Sequence, residues 1–93
     1  MDIAKANIVQ STAGRDRGDI FFVLACEGDF LLLADGKNRP VERPKRKRRK
    51  HAMLLTADGG VLSEKIRSNE QITNSELRKA IAAFRGSDQD QEG

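Results

Sequence analysis

Two stretches of this sequence hold the side chains best suited to chemistry. GRDRG, Gly14 to Gly18, sets Arg15 and Arg17 between two glycines, and PKRKRRKH, Pro44 to His51, runs six cations together before the only histidine. A guanidinium is a planar fork that grips phosphate oxygens two at a time. Glycine lets a backbone turn tightly and come close to such a group. The first stretch is therefore built to meet a phosphodiester. Asp16, between the arginines, is expected to brace one of them or to bond the turn backbone. The plainer alternative for this loop is a bare turn with solvated charges.

Bond-making chemistry finds little support. A general base needs partners that orient it, and His51 follows a run of cations, so it reads as a surface or phosphate-contacting residue. Ser11, Thr12, Asp16 and Asp19 form no triad or metal pattern, and there is no phosphate-binding P-loop. Cys26 is the single cysteine. It can form neither an internal disulfide nor a cysteine metal site, and it reads as a small hydrophobe in a strand of a cytoplasmic protein. The sequence predicts no enzyme, no cofactor and no metal.

The charge distribution says more. Lys37, Arg39, Arg43, Lys45, Arg46, Lys47, Arg48, Arg49 and Lys50 lie within fourteen residues that hold one acid, Glu42. That segment carries +8, so the rest of the chain carries −5 against an overall +3. A basic patch on a mildly acidic body is the footprint of a polyanion binder. Same-face charges on an extended run lie roughly 6.8 Å apart, repelling by about 0.6 kcal/mol a pair in bulk water. A bound polyanion removes that repulsion and releases counterions. Two other readings compete, a solvated face and a nuclear localisation signal. The apolar segment that directly follows the run favours a fixed surface position over an accessible tail.

Ninety-three residues make about one domain. The segments that must hold the two stretches read as short strands. They are Ala6 to Ser11, then Asp19 to Cys26, then Phe30 to Ala34, then a return over Lys37 to Val41 after the hairpin signal Asp35-Gly36, and last Ala52 to Leu55. In the second, Ile20, Phe22 and Leu24 face one way and Phe21, Val23 and Ala25 the other, so both faces need cover. Five short strands in so few residues suggest a small barrel. Val61 to Arg67 reads as a short helix. Thr73-Asn74-Ser75-Glu76 is a capping box, with Ile72 and Leu77 placed as a staple. From there Leu77, Ala80, Ile81 and Phe84 share a helical face that ends at Arg85-Gly86. The remaining GSDQDQEG reads as disordered. MDIAKANIVQ does not read as a signal peptide, and no apolar run reaches the roughly 20 residues of a membrane helix.

IVQSTAGRDRGDIFFVLA resembles the KOW motif of ribosomal and transcription-elongation proteins: a strand, a loop of the form G-[KR]-D-[KR]-G, then an apolar strand. The likeness extends through Asp35-Gly36 and PKRKRRKH, over a little more than half the chain, and is greatest to small bacterial KOW-domain proteins similar to an archaeal and eukaryotic large-subunit ribosomal family. Phe21 stands where many such motifs carry a further glycine, which points away from the elongation-factor branch. The resemblance implies an SH3-like barrel, in agreement with the strand count, so the expected fold is mainly β, a five-stranded SH3-like barrel over residues 4–56; the residues themselves add a C-terminal helical extension packing on it over 57–85 and a disordered acidic tail over 86–93. The resemblance also implies binding of structured RNA, ribosomal RNA first of all, by a monomer with no membrane partner. The expected contacts are Gly14, Arg15, Arg17, Gly18, Lys37, Arg39, Arg43, Lys45, Arg46, Lys47, Arg48, Arg49, Lys50 and His51. The preference for RNA over DNA rests mainly on the resemblance. The sequence adds that there is no Trp or Tyr, and that the four Phe read mostly as core, so a stacking platform is not expected. There is also no recognition-helix or zinc-finger pattern. The alternative is a protein-binding adaptor of the transcription or translation machinery that uses the barrel edge, a reading weakened by the lack of exposed aromatics, for which Phe21 and Phe30 are the only candidates.

Overall fold

The computed structural model describes residues 2–90. Five strands, β1 (Ile8–Ser11), β2 (Ile20–Glu27), β3 (Phe30–Ala34), β4 (Lys45–Arg48) and β5 (Ala52–Thr56), are followed by two helices, α1 (Val61–Arg67) and α2 (Asn74–Asp90). The strands form one antiparallel sheet in the order β4-β3-β2-β1-β5. No helix among the described residues is long and apolar enough to cross a membrane.

The two edge strands are joined by a single 3-10 turn, Arg49–His51. In a flat sheet of five strands the outer strands would lie about 19 Å apart, whereas three residues of such a turn advance only about 6 Å. The sheet therefore curls to bring its edges together, although no ladder joins β4 to β5 among the described residues.

The apolar residues separate into two clusters, as the double-sided β2 requires. Ile3, Val9, Phe21, Val23, Leu31 and Leu33, with Ala52 and Leu54 beside them, pack together with no helical residue among them. Strands β1, β2, β3 and β5 thus meet one another across this core. On the opposite face Ile8, Phe22 and Ala34 pack against Leu62 and Ile66 of α1 and Leu77 and Ile81 of α2. A register shift between Val23 and Ala25 interrupts the expected alternation. Phe21 and Val23 enter the first cluster, but Ala25 does not. Cys26 also departs from expectation, because it is exposed near the end of β2 instead of buried.

The expected capping box is present. Thr73 N–H donates to Glu76 Oε1 (2.9 Å) and Glu76 N–H to Thr73 Oγ1 (3.1 Å), while Ile72 and Leu77 join the same cluster. Lys65 Nζ donates to Glu76 Oε2 (2.6 Å), tying α1 to α2. The Lys65 hydrogen bond, helped by that of the Thr73 backbone, holds the Glu76 carboxyl below its ordinary range.

Two boundaries differ from those read in the sequence. Lys37 to Val41 is a loop, not a strand. Asp35 Oδ1 accepts the N–H groups of Lys37 (2.9 Å) and Arg39 (2.8 Å), and Asn74 Oδ1 accepts that of Val41 (2.7 Å). Side chains thus satisfy the groups a ladder would have used. The fourth strand is instead the basic run itself, paired with β3 through Leu31↔Lys47 and Leu33↔Lys45. At the C-terminal end, α2 continues through Gly86 to Asp90. Gly86 does not take the positive φ that makes glycine a helix stop. Of the stretch expected to be disordered, residues 86–90 are helical, and 91–93 lie outside the described residues.

Candidate nucleic-acid interface

The loop between β1 and β2 is shaped by two glycines at positive φ, Gly14 (86°) and Gly18 (92°), where a Cβ would be strained. Gly18 N–H donates to Ser11 O (2.8 Å), Ser11 N–H to Asp19 O (2.9 Å) and Arg17 N–H to Gly14 O (3.2 Å), which closes the loop on itself. Arg15 and Arg17 stand on its exposed part.

Asp16 does not brace either arginine. It turns inward, 14% exposed, and its Oδ1 accepts hydrogen bonds from Lys47 Nζ (2.9 Å) and Ser11 Oγ (2.8 Å). Lys47 Nζ also donates to Ala13 O (2.9 Å). Lys45 Nζ lies 3.5 Å from Asp16 Oδ2. That is ion-pair range without hydrogen-bond geometry, so Oδ2 has no donor of its own. Burial by itself pushes the Asp16 pKa up; the hydrogen bonds of Lys47 and Ser11 and the charges of Lys47 and Lys45 outweigh it and hold the carboxyl below its usual range. The GRDRG loop and the basic strand are thereby fastened together through one carboxylate.

Within the basic segment the side chains divide by what they already hold. Lys47 is buried (7% exposed) and committed to the loop. Arg49 donates from Nη1 to Ile3 O and from Nε and Nη2 to Gly28 O (3.4 and 3.3 Å), fixing the N-terminal segment and the β2–β3 turn to the 3-10 turn. His51 is half-buried, and its carbonyl accepts Thr12 N–H (2.9 Å). Lys45 is half-buried beside Asp16. Arg46, Arg48 and Lys50 are exposed, as are Lys37, Arg39 and Arg43 on the loop before β4.

Two features of the surface go beyond what the sequence showed. Phe30 is not core. Arg46 Cζ lies 3.7 Å and Arg48 Cζ 5.0 Å from its ring centroid. The cross-strand pair Phe30↔Arg48 sets this cluster, and only knowledge that the basic run is a strand beside β3 could have found it. Secondly, Lys37 shares a concavity with Arg78 and Arg85 of α2 and with Asp19, next to Gly18. Those two arginines lie far from both basic stretches in sequence, and only the tertiary fold brings them near.

Compared with protein-family models and with curated proteins, the sequence matches none.

Proposed function

We propose that this protein is a non-catalytic RNA-binding module of the KOW type, its sheet curled as an SH3-like barrel, that grips structured RNA by phosphate contacts. The observation that carries the reading is the Asp16 carboxylate shared by Lys47 and Lys45. It fastens a glycine-bounded arginine loop to a strand of cations, and neither charge density nor solubility needs such a fastening. The barrel reading draws on the strand order, the short turn joining β4 to β5 and a core cluster without helical residues. The RNA contacts are assigned to the exposed cations, Arg15 and Arg17 on the loop, then Lys37, Arg39, Arg43, Arg46, Arg48 and Lys50. Ribosomal RNA is the first candidate ligand, the module acts as a monomer, and the cytoplasm is its compartment.

The test is non-equivalence at constant charge loss. Arg15→Ala with Arg17→Ala is expected to weaken binding to ribosomal RNA fragments by about 100-fold or more, since charge-assisted bonds from a held loop are worth roughly 1.5–3 kcal/mol each. Lys37→Ala with Lys50→Ala removes the same charge from mobile side chains and should cost under about tenfold. Equal losses would mean that only total charge matters and would remove the loop from the mechanism.

A protein-binding adaptor is the second reading. It draws on the outer edge of β5, which among the described residues pairs only with β1 and leaves Met53 47% exposed. Capture of a protein partner that survives nuclease treatment, with no affinity for an RNA duplex at moderate salt, would favour it.

A further inference from the structure

Phe30, Arg46 and Arg48 occupy neighbouring positions on one face of β3 and β4, with Glu27 opposite Phe30 on β2. Arg46 lies over the Phe30 ring, and its Nε is 3.6 Å from Glu27 Oε1, so the guanidinium has a partner on each side of its approach. Both Arg46 (57% exposed) and Glu27 (53%) are open to solvent, so none of the described residues covers this stack. Arg48, the second cation near the ring, also lines a concavity of about 370 Å³ with Asp29, Arg49 and Lys50. Around this ring four cations, Arg46, Arg48, Arg49 and Lys50, meet two carboxylates, Glu27 and Asp29, so the cluster keeps a net positive charge. A nucleotide brings both a π face and an anion. Stacking on aromatic rings and guanidinium planes is the common way proteins hold bases that have left a helix.

We propose that Phe30, Arg46 and Arg48 form a stacking site for one unpaired nucleobase, with its phosphate taken by Arg48 and Lys50. This rests on the RNA-binding reading above and narrows it. The preferred ligand is a helix with a bulged or looped-out nucleotide, and perfect duplex binds less well.

The experiment compares two RNA hairpins that differ by a single bulged 2-aminopurine, using anisotropy for affinity and base emission for stacking. Wild-type protein should favour the bulged hairpin by about tenfold or more, in line with the worth of one stacked base, and should quench the emission. Phe30→Leu should bring that ratio close to one, with affinity for the paired hairpin within about twofold of wild type. Arg46→Lys should bring the ratio close to one as well, whatever it costs in affinity for the paired hairpin, because Arg46 is itself an assigned contact. Arg46→Lys keeps the charge at an exposed position, so it serves even if Phe30→Leu fails to fold by circular dichroism. Equal affinity of the wild type for both hairpins, without quenching, would overturn the stacking site while the RNA reading stands. No binding to either hairpin would overturn the RNA reading and the stacking site with it. A preference that persists in Arg46→Lys would also overturn the assignment.

Discussion

Lys47→Met removes the ammonium around which the Asp16 carboxylate is placed and keeps most of the aliphatic stem. A hydrogen bond to a charged group contributes roughly 1.5–3 kcal/mol, and stranding a fully buried carboxylate costs about 3–5 kcal/mol. Asp16 is not fully buried, at 14% exposed, and Lys45 Nζ waits 3.5 Å from its second oxygen, so the lower part of this range applies. The expected loss is about 2–3 kcal/mol out of a total of roughly 5–10 kcal/mol for a domain of this size. At about 4–8 °C per kcal/mol, the melting point should fall by some 10–20 °C. The chain has no Trp or Tyr, so far-ultraviolet circular dichroism in urea is the natural probe. A cycle with Asp16→Asn should show coupling of at least about 1.5 kcal/mol. The pH dependence follows from the depressed Asp16 pKa. Its contribution is complete above the ordinary carboxyl value of 3.8 and is lost as pH falls through the lower folded value. Asp16→Asn should therefore flatten the acid-unfolding limb below about pH 4. A Lys47→Met protein within about 0.5 kcal/mol of wild type, or an additive cycle, would refute the idea that this carboxylate fastens loop to strand.

Gly36→Ala should destabilise by at least about 2 kcal/mol in the same urea titration, because the residue sits at φ +79° and a Cβ would come 2.3 Å from the Asn74 carbonyl oxygen. Thr73→Ala removes the acceptor of Glu76 N–H and should cost about 1 kcal/mol, leaving RNA affinity of the folded protein unchanged. With about six of the eight assigned cations meeting phosphates at once, log K against log salt should have a slope near −4 to −5 on irregular RNA, and a slope shallower than about −2 would take the basic strand out of the contact surface.

The elements whose own sequence determines them were legible. The alternation of Ile20 to Leu24, the Val61–Arg67 helix and the Thr73–Glu76 box all depend on local spacing and reappear with little change. The basic run was not legible as a strand, because lysine and arginine have no strong strand preference and its extended form comes from pairing with Leu31 and Leu33. Lys37 to Val41 failed in the opposite sense, since Asp35 and Asn74 take its N–H groups in a way that spacing cannot reveal. At the site, GRDRG and the cations could be named from the sequence. Which cations turn inward could not, because Lys45 and Lys47 come to face Asp16 only when the run pairs as a strand opposite Leu33 and Leu31, leaving Arg46 and Arg48 on the other face.

The placement of the basic run on an edge has a consequence for the company the protein keeps with itself. Among the described residues β4 is bonded on one side only, to β3, and an unpaired edge offers amide and carbonyl groups to any other extended chain. Four successive cations, one of them turned inward at Lys47, make that edge a poor template, because a second copy would have to bring like charge against like. The charges assigned to a ligand thus also guard the sheet against its own kind. Neutralising the exposed pair Arg46 and Arg48 to weaken RNA binding should therefore leave a protein that self-associates as its concentration rises, and a bound polyanion, by covering the same edge, should protect the wild type while masking its charge.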